Sequence, residues 1–223
     1  MCKPHVYSVG PIPATMPAMD APRVVQSVLS PARAATRQKV IAAAIELATE
    51  GGYDAVAIRP VAARAGVSVP TVYQHVSSRD QLLAEALMML GSRSTEGVRR
   101  RRPAGDTPAD RVVRVFSRIL DEAAAKPLLY QALYRAWVAA LPGLVGGDDA
   151  IGLGPERAQW IGEALRAGPN AGHSEEDLDA AARILSTLFL GAMVGVAAGR
   201  PVREVVAMLD EASHRLLPDQ LAP

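Results

Sequence analysis

Segments with apolar residues at helical spacing follow one another along almost the whole chain after residue 32, and Gly or Pro separates them. In residues 33–50, for example, Val40, Ala44 and Leu47 recur at intervals of three and four, which places them on one face of a helix. No segment shows the convincing alternation that a half-buried strand requires. Aromatic residues make up only 4% of the chain, which also favours packed helices over sheets. The sequence therefore predicts an all-α protein.

The Gly and Pro breaks set the bounds of the other predicted helices. These are residues 58–65, 69–75, 79–98, 108–125, 128–140, 155–167, 175–198 and 201–217, with loops at 103–107 and 141–154. Short helices come first and longer ones follow, which indicates two units. We predict a flexible tail at 1–32, an N-terminal three-helix domain at 33–80, a larger helical domain at 81–218 and a short tail at 219–223.

Charge is unevenly distributed between the two units. Residues 31–102 contain 11 Lys and Arg against 6 Asp and Glu, a net charge of +5. Residues 103–223 contain 11 against 16, a net charge of −5. A basic unit joined to an acidic one suggests that only the first unit contacts a polyanion. The alternative is an ordinary fluctuation of surface charge.

Several classes of protein are disfavoured by what the chain contains. Cys2 is the only cysteine, and the four histidines are far apart with no metal-binding spacing, so we expect no disulfide framework and no metal site. There is no Gly-rich phosphate loop, no GxSxG and no arrangement of Ser, His and Asp that predicts a catalytic triad. The proline-rich first 30 residues do not read as a signal peptide. We expect a cytoplasmic protein without catalytic activity and without a cofactor.

Residues 58–75 predict a helix-turn-helix, because two short helices flank a tight turn at Gly66. The second of these helices has little apolar surface, with Val72 and Val76 available to hold it down. Most of its other side chains are polar, and Gln and Thr can read base edges while Tyr and His can donate to phosphates. This composition predicts a DNA-recognition helix. The alternative is a simple connecting hairpin in which Tyr73 fills a gap.

The stretch TRQKVIAAAIELATEGGYDAVAIRPVAARAGVSVPTVYQHVSSRDQLLAEAL, residues 36–87, resembles the N-terminal DNA-binding domain of the TetR family of bacterial transcriptional regulators. The features that match, in order, are an apolar helix ending in GGYDAV, the turn VAARAGVS, the helix TVYQHV and the segment SSRDQLL. The resemblance implies an all-helical homodimer that binds operator DNA. Most members of this family are repressors that a small molecule releases from DNA.

The resemblance also implies roles for individual residues. Thr71, Tyr73 and His75 match the usual contacts of the recognition helix, and Arg79 stands where the family usually has Lys. The sequence departs from the family at Ala57, where a Thr that touches phosphate is frequent. The complete predicted set of DNA-binding residues is Arg37, Arg59, Ser68, Val69, Pro70, Thr71, Tyr73, Gln74, His75 and Arg79.

The larger domain carries two further predictions. Its aromatic residues fall on neighbouring helices, and because the family places its effector there, a pocket is predicted in addition to the simpler alternative of a core. The predicted lining is Phe116, Leu120, Tyr130, Tyr134, Trp137, Trp160, Phe189 and Met193. Glycines at four-residue spacing in 175–198 suggest close approach of another helix in a four-helix dimer interface. The predicted interface residues are Gly191, Gly195, Gly199, Val205 and Leu209.

Two alternatives concern this same half of the chain. A membrane span over 184–199 is disfavoured, since that run of 16 residues is shorter than the roughly 20 that a bilayer requires. A helical small-molecule carrier or interaction dimer with a vestigial helix-turn-helix is the rival function. The segment GDTPADRVVRVFSRILDEAAAKPLLYQALYRAWV also resembles TetR-family repressors of cholesterol catabolism, which implies an apolar effector such as a steroid or an acyl-CoA thioester.

Overall fold

The computed structural model describes residues 31–144 and 156–218, and every regular element within these ranges is a helix. The all-α prediction is therefore confirmed. The helices are α1 (Pro31–Ala55), α2 (Ile58–Ala65), α3 (Val69–Tyr73), α4 (Arg79–Arg100), α5 (Pro108–Ala124), α6 (Pro127–Leu144), α7 (Glu156–Leu165), α8 (Glu175–Ala197) and α9 (Val202–Leu216).

The first helices form the predicted helix-turn-helix. α2 ends at Gly66, which adopts a left-handed conformation (φ 68°, ψ 35°) and donates its N–H to the last carbonyls of α2. The chain then turns into α3, which Val72 holds down with 0% of its surface exposed. Val61 and Ala62 of α2 are buried in the same core. The predicted packing under the recognition helix is thus confirmed.

The larger helices α5 to α9 surround a continuation of the same hydrophobic core. α5 packs against α7, α8 and α9, while α7 and α9 both lie against α8. α6 packs against α1 and α4 as well as α8, so it joins the N-terminal helices to the rest of the fold. α4 also belongs to both parts, because it begins directly after the helix-turn-helix and ends at Arg100 beside α6 and α7. The division at residue 80 therefore cuts a continuous core and stays a prediction.

Several helix ends are fixed by side chains that the sequence indicated. The Ser174 Oγ accepts a hydrogen bond from the N–H of Asp177, and the Asp177 carboxylate accepts one from the Ser174 N–H, so that the two residues form a capping box at the start of α8. Ser68 and Ser78 cap α3 and α4 by a single bond each, in which the side-chain hydroxyl accepts from the N–H of Thr71 and of Gln81 respectively. Thr107 forms a second reciprocal capping box at the start of α5, which was not predicted.

Three of the differences between the observed and the predicted bounds concern α3, α6 and α1. α3 ends at Tyr73 and not at residue 75, because Gln74 already acts as its C-cap. α6 begins at Pro127 and continues to Leu144, beyond the predicted loop start at 141. α1 begins at Pro31, inside the predicted tail, and its regular geometry is interrupted at Gly51 and Gly52. The predicted tails at 1–30 and 219–223 and most of the predicted loop lie outside the described residues.

Gly52 is the strongest backbone constraint in the N-terminal helices. Its dihedral angles (φ 68°, ψ −158°) lie in a region that is essentially restricted to glycine. The chain direction changes there, and Tyr53 is set on the side of α1 that faces α4 and α6. The prediction that Gly51–Gly52 ends the first regular helix is borne out by this geometry.

α8 is a core helix with one uncovered side. Among the described residues it alone has the length and composition that could cross a membrane. In the fold it lies against α5, α6, α7 and α9, and Leu178 and Leu185 on its inner face are fully buried. Ile184 and Val194 on its opposite face are 46% and 38% exposed. One side of α8 is therefore left uncovered within the single chain.

Candidate DNA-contact surface and effector cavity

The predicted recognition helix α3 and the two residues that follow it present polar side chains outward, while Val72 is buried beneath the helix. Tyr73 is 56% exposed, the largest fraction of any large apolar or aromatic side chain among the described residues. Gln74 beside it is also exposed, and His75 is half-buried. Because Val72 is completely buried on the opposite side, these groups project away from the core. The arrangement leaves their hydrogen-bonding atoms available to an external surface.

Ser68 and Thr71 act together at the start of α3. The Ser68 Oγ accepts a hydrogen bond from the Thr71 N–H at 3.2 Å, and the two hydroxyl oxygens lie 2.8 Å apart. This pair satisfies a free N–H at the helix start and orients the Thr71 hydroxyl. Both predicted contacts therefore also have a structural role within the chain.

Two other predicted residues of α3 have different environments. Pro70 is exposed in the first turn of the helix, where its missing N–H has no cost. Val69 is only partly exposed and packs against the core. Val69 therefore contributes to the seating of α3 and presents only part of its side chain to a ligand.

The predicted cations around α3 fall into two environments. Arg59 on α2 is exposed. Arg37 on α1 forms an ion pair with Glu85 of α4, with its Nη2 at 2.8 Å from the Glu85 Oε1. Arg37 thereby ties α1 to α4, so a phosphate contact by Arg37 would have to share or replace that ion pair.

Arg79 lies against a tyrosine that the sequence prediction did not include. Its guanidinium carbon is 3.8 Å from the centre of the Tyr53 ring, and the guanidinium carbon of Arg135 on α6 is 3.9 Å from the same centre. The Tyr53 hydroxyl donates to the Asp80 Oδ1 at 2.5 Å, and this hydrogen bond raises the pKa of the hydroxyl. The GGYDAV motif marked Tyr53, but nothing local in sequence pairs it with Arg135.

A cavity of about 410 Å³ opens between α4, α5, α6, α7 and α8. Its volume lies within the range of about 300 to 1,000 Å³ that is typical of small-molecule sites. α4 contributes more of the wall than the sequence predicted. The lining residues are Leu87, Met88, Leu90, Gly91, Ser92, Ser94, Glu96, Ile119, Tyr130, Tyr134, Gln159, Trp160, Ile161, Ser186, Phe189 and Met193.

Five of the eight predicted pocket residues line this cavity: Tyr130, Tyr134, Trp160, Phe189 and Met193. The other three do not, and the prediction is corrected for them. Phe116 is fully buried behind the wall, stacked on Phe189 with ring centres 4.8 Å apart and edge-on to Trp160. Leu120 is also fully buried, and Trp137 packs edge-on against Tyr134. These three residues lie on the helices that surround the cavity, but their side chains pack behind the residues that line it.

The chemistry of the cavity is mostly apolar with a few polar groups. Serine hydroxyls and the side chains of Glu96 and Gln159 lie among the aliphatic and aromatic residues. Burial raises the pKa of the Tyr130 hydroxyl to about 12, so the phenol stays neutral at physiological pH and can donate a hydrogen bond. Such a site suits a largely apolar molecule with few hydrogen-bonding groups.

The predicted interface residues on α8 and α9 separate into two groups. Gly191 is exposed, Gly195 is partly exposed, and a Cβ added at Gly191 would meet nothing within 4 Å. Val205 and Leu209 are 0% exposed because α9 turns them towards α5 and α8. These two are core residues of the single chain, so the prediction that they contact a partner is wrong.

Gly199 is a glycine for a reason other than the close approach of a second helix that the four-residue spacing suggests. It follows the end of α8 and has φ 92°, a conformation that other residues rarely adopt. Its glycine is required by the turn into α9. The uncovered apolar face of α8 therefore contains Ile184, Gly191 and Val194. Met208 on the next helix, α9, is also 37% exposed.

Comparisons with known proteins agree with this arrangement. The sequence model of the family "Bacterial regulatory proteins, tetR family" matches residues 40–86. The chain is 32% identical over 160 residues to the HTH-type transcriptional repressor KstR of Rhodococcus jostii, covering 71% of each protein. It is 30% identical over 193 residues to KstR of Mycobacterium tuberculosis, covering 86% of this chain and 84% of that protein.

Solved structures show the same fold. A TetR transcriptional regulator from a Rhodococcus species superposes with a TM-score of 0.63 at 25% identity, covering 84% of this chain and 99% of the other. Thermus thermophilus FadR, a TetR-family repressor solved in complex with lauroyl-CoA, gives a TM-score of 0.57 at 21% identity, covering 84% of this chain and 96% of the other. The second similarity concerns the fold alone.

Proposed function

Because the chain belongs to the TetR family of bacterial regulatory proteins, we propose that it is a DNA-binding transcriptional repressor released from its operator by a small apolar molecule. The observation that carries the proposal is the end of α3, where Tyr73 and the following Gln74 are exposed while Val72 is completely buried on the opposite side. A helix with this distribution gains little from burial. Its composition has a purpose if the exposed face enters a groove of DNA.

Contacts to DNA divide into positioning and reading contacts. Tyr73 and His75 would donate to phosphates and set the register of α3, and Arg59 would add a phosphate contact from α2. Gln74 can make paired hydrogen bonds to an adenine edge, and Thr71 can contact a thymine methyl group. Pro70 and Val69 would shape the surface that faces the bases.

A homodimer would place two α3 helices on one operator. The uncovered face of α8, with Ile184, Gly191 and Val194 at heptad-like spacing, would pair with the same face of a second copy. Glycine at 191 costs the helix about 1 kcal/mol, and within the described part of the chain an added Cβ there would meet nothing within 4 Å, which favours close approach by an external helix. A two-fold dimer of this kind reads a near-palindrome with half-sites one DNA turn apart, about 34–36 Å.

The effector would bind in the cavity beneath α4 and α6. Its apolar wall and few polar groups favour a steroid or the acyl part of an acyl-CoA thioester. The resemblance of residues 105–138 to TetR-family repressors of cholesterol catabolism supports the steroid class, and the fold shared with FadR, which was solved in complex with lauroyl-CoA, supports the acyl-CoA class. Action on the chromosome places the protein in the cytoplasm, and neither a cofactor nor catalysis is part of this function.

Selection of genomic DNA tests the DNA-binding part of this proposal. Purified protein is incubated with sheared genomic DNA at moderate salt, and the bound fragments are sequenced. We expect enrichment of a near-palindromic sequence, and we expect the double substitution Tyr73→Ala, Gln74→Ala to abolish it. Gln131→Ala, on the exposed side of α6, is the matched control and should bind like the wild type. Absence of enrichment at any salt would favour the rival carrier function.

The same fragments test the effector class. Binding is repeated with a steroid acyl-CoA thioester and, separately, with a simple long-chain acyl-CoA. Release by the steroid thioester alone supports a steroid effector, and release by both supports an acyl-CoA effector of broader specificity. Binding that neither compound changes would retain the repressor and reject both ligand classes.

A further inference from the structure

The Tyr53 ring lies between two cations that come from different helices. The guanidinium carbons of Arg79 and Arg135 are 3.8 and 3.9 Å from the ring centre, and two groups this close would overlap on one face. They therefore occupy opposite faces. Each cation is attracted to the negative face of the aromatic ring, while the two cations repel each other. Their close approach thus depends on the ring between them.

This Arg79–Tyr53–Arg135 stack connects the DNA-contact surface to the cavity. Arg79 is the first residue of α4 and comes six residues after Tyr73 of the recognition helix. Arg135 follows Tyr134, which lines the cavity from the other side of α6. Tyr53 itself is oriented by its hydrogen bond to Asp80, the second residue of α4.

The surroundings of the stack make it sensitive to the position of α6. Leu128, the second residue of α6, lies against the Gly52 backbone, so that a Cβ added at Gly52 would be 3.8 Å from the Leu128 side chain. Gly52 fixes the direction of the chain immediately before Tyr53. A shift of α6 would therefore disturb both the base of Tyr53 and the cation that covers one of its faces.

We infer that Tyr53 and Arg135 are positioning residues that hold Arg79 and the first turn of α4 in place for DNA, so that operator affinity depends on the position of α6. The inference rests on the proposed function. Arg135 faces the stack, and its effect on DNA binding passes through Arg79. The helix that forms one wall of the cavity thereby acts on the end of α4 that adjoins the recognition helix.

A double-mutant cycle on the fragment recovered by genomic selection tests this inference. Affinity is measured by fluorescence anisotropy for the wild type, Arg79→Ala, Arg135→Gln and the double variant. Loss of a cation–π contact predicts that Arg135→Gln weakens binding about fivefold. In the Arg79→Ala background the same substitution should have no further effect, because the residue through which it acts is missing. Arg135→Lys, which keeps a cation, should restore most of the affinity.

Control variants separate positioning from charge and from folding. Arg118→Gln on the exposed side of α5 removes the same charge far along another helix and should leave affinity nearly unchanged. Tyr53→Phe keeps the ring and should bind more tightly than Tyr53→Leu, which keeps apolar bulk without the ring face. Thermal unfolding of each variant shows whether it is folded at the temperature of the binding measurement.

Each contrary outcome identifies what fails. Equal losses from Arg135→Gln in both backgrounds would show that Arg135 contacts DNA directly, which overturns the positioning role. An unchanged affinity of Arg135→Gln, or equal affinities of Tyr53→Phe and Tyr53→Leu, would show that the stack has no part in DNA binding. A wild type that selects no fragment would overturn the proposed function itself, and the inference with it.

Discussion

Replacing Arg111 by Met should destabilise the protein without altering its DNA contacts. Arg111 is 1% exposed, and its guanidinium donates to the carbonyl oxygens of Leu165 at 2.6 Å and Pro169 at 2.8 Å. Leu165 is the last residue of α7, so the side chain from α5 satisfies the free end of a neighbouring helix. No carboxylate is among its hydrogen-bond partners in the described residues.

The magnitude follows from the groups that lose their partners. The buried carbonyl oxygen of Leu165 would be left without its donor, at a cost of about 1–3 kcal/mol, and the partly buried carbonyl oxygens of Gly105 and Pro169 would lose theirs at a smaller cost. Two effects offset this loss. Met fills most of the same volume, and the substitution removes a buried cation. Burial disfavours that cation, since it lowers the pKa of the Arg111 guanidinium and leaves its Nε without a hydrogen-bond partner. We expect a net loss of about 2 kcal/mol in the free energy of unfolding.

Urea unfolding followed by circular dichroism measures this loss. We expect a lower midpoint with an unchanged slope, which indicates changed stability without a change in the surface exposed on unfolding. Arg118→Met, on the exposed side of the same helix, is the control and should lie within about 0.5 kcal/mol of the wild type. An Arg111→Met variant as stable as the wild type would show that the cost of burying the cation cancels its hydrogen bonds, which would refute the reasoning.

Three further predictions concern separate parts of the fold. Gly52→Ala should lower the free energy of unfolding by about 1–3 kcal/mol in the same assay, because alanine rarely adopts φ 68°, ψ −158°. The control is Gly91→Ala, where an added Cβ meets nothing within 4 Å. Hydrogen bonds from the Ser174 hydroxyl and N–H lower the pKa of Asp177, so the stabilising effect of its carboxylate is complete above the ordinary carboxyl pKa and is lost as pH falls through the lowered value. The difference in unfolding free energy between the wild type and Asp177→Ala should therefore shrink below about pH 4. A difference that stays constant with pH would contradict this. Gly191→Leu should convert a dimer to a folded monomer in analytical ultracentrifugation, and an unchanged dimer would place the interface elsewhere.

The N-terminal helices were predictable because their constraints are local. A Ser cap, a glycine turn and buried valines specify the helix-turn-helix within a short stretch, and α3 differed from its predicted end by two residues. The cavity was less predictable, because periodicity shows which residues share a helix face but not which side chains reach the space between helices. Phe116 and Trp160 are both aromatic residues of that cluster, yet only Trp160 reaches the cavity, since Phe116 is covered by its own neighbours.

Contacts between distant segments could not be predicted. Arg37 was assigned to DNA because it is a cation near the recognition helix, but its pairing with Glu85 depends on how α1 crosses α4. Val205 and Leu209 were assigned to the interface because α9 follows α8, but the rotation of α9 turns both into the core. The Tyr53 stack depends in the same way on the position of α6.

Hydroxyl-radical footprinting on a selected genomic fragment tests the central claim most directly. If α3 reads DNA as part of a dimer, the wild type should protect two half-sites whose centres are one helical turn, about 34–36 Å, apart. The double substitution Tyr73→Ala, Gln74→Ala should remove both protected regions together. Uniform protection along the fragment, or protection that persists in the double variant, would contradict sequence recognition by α3.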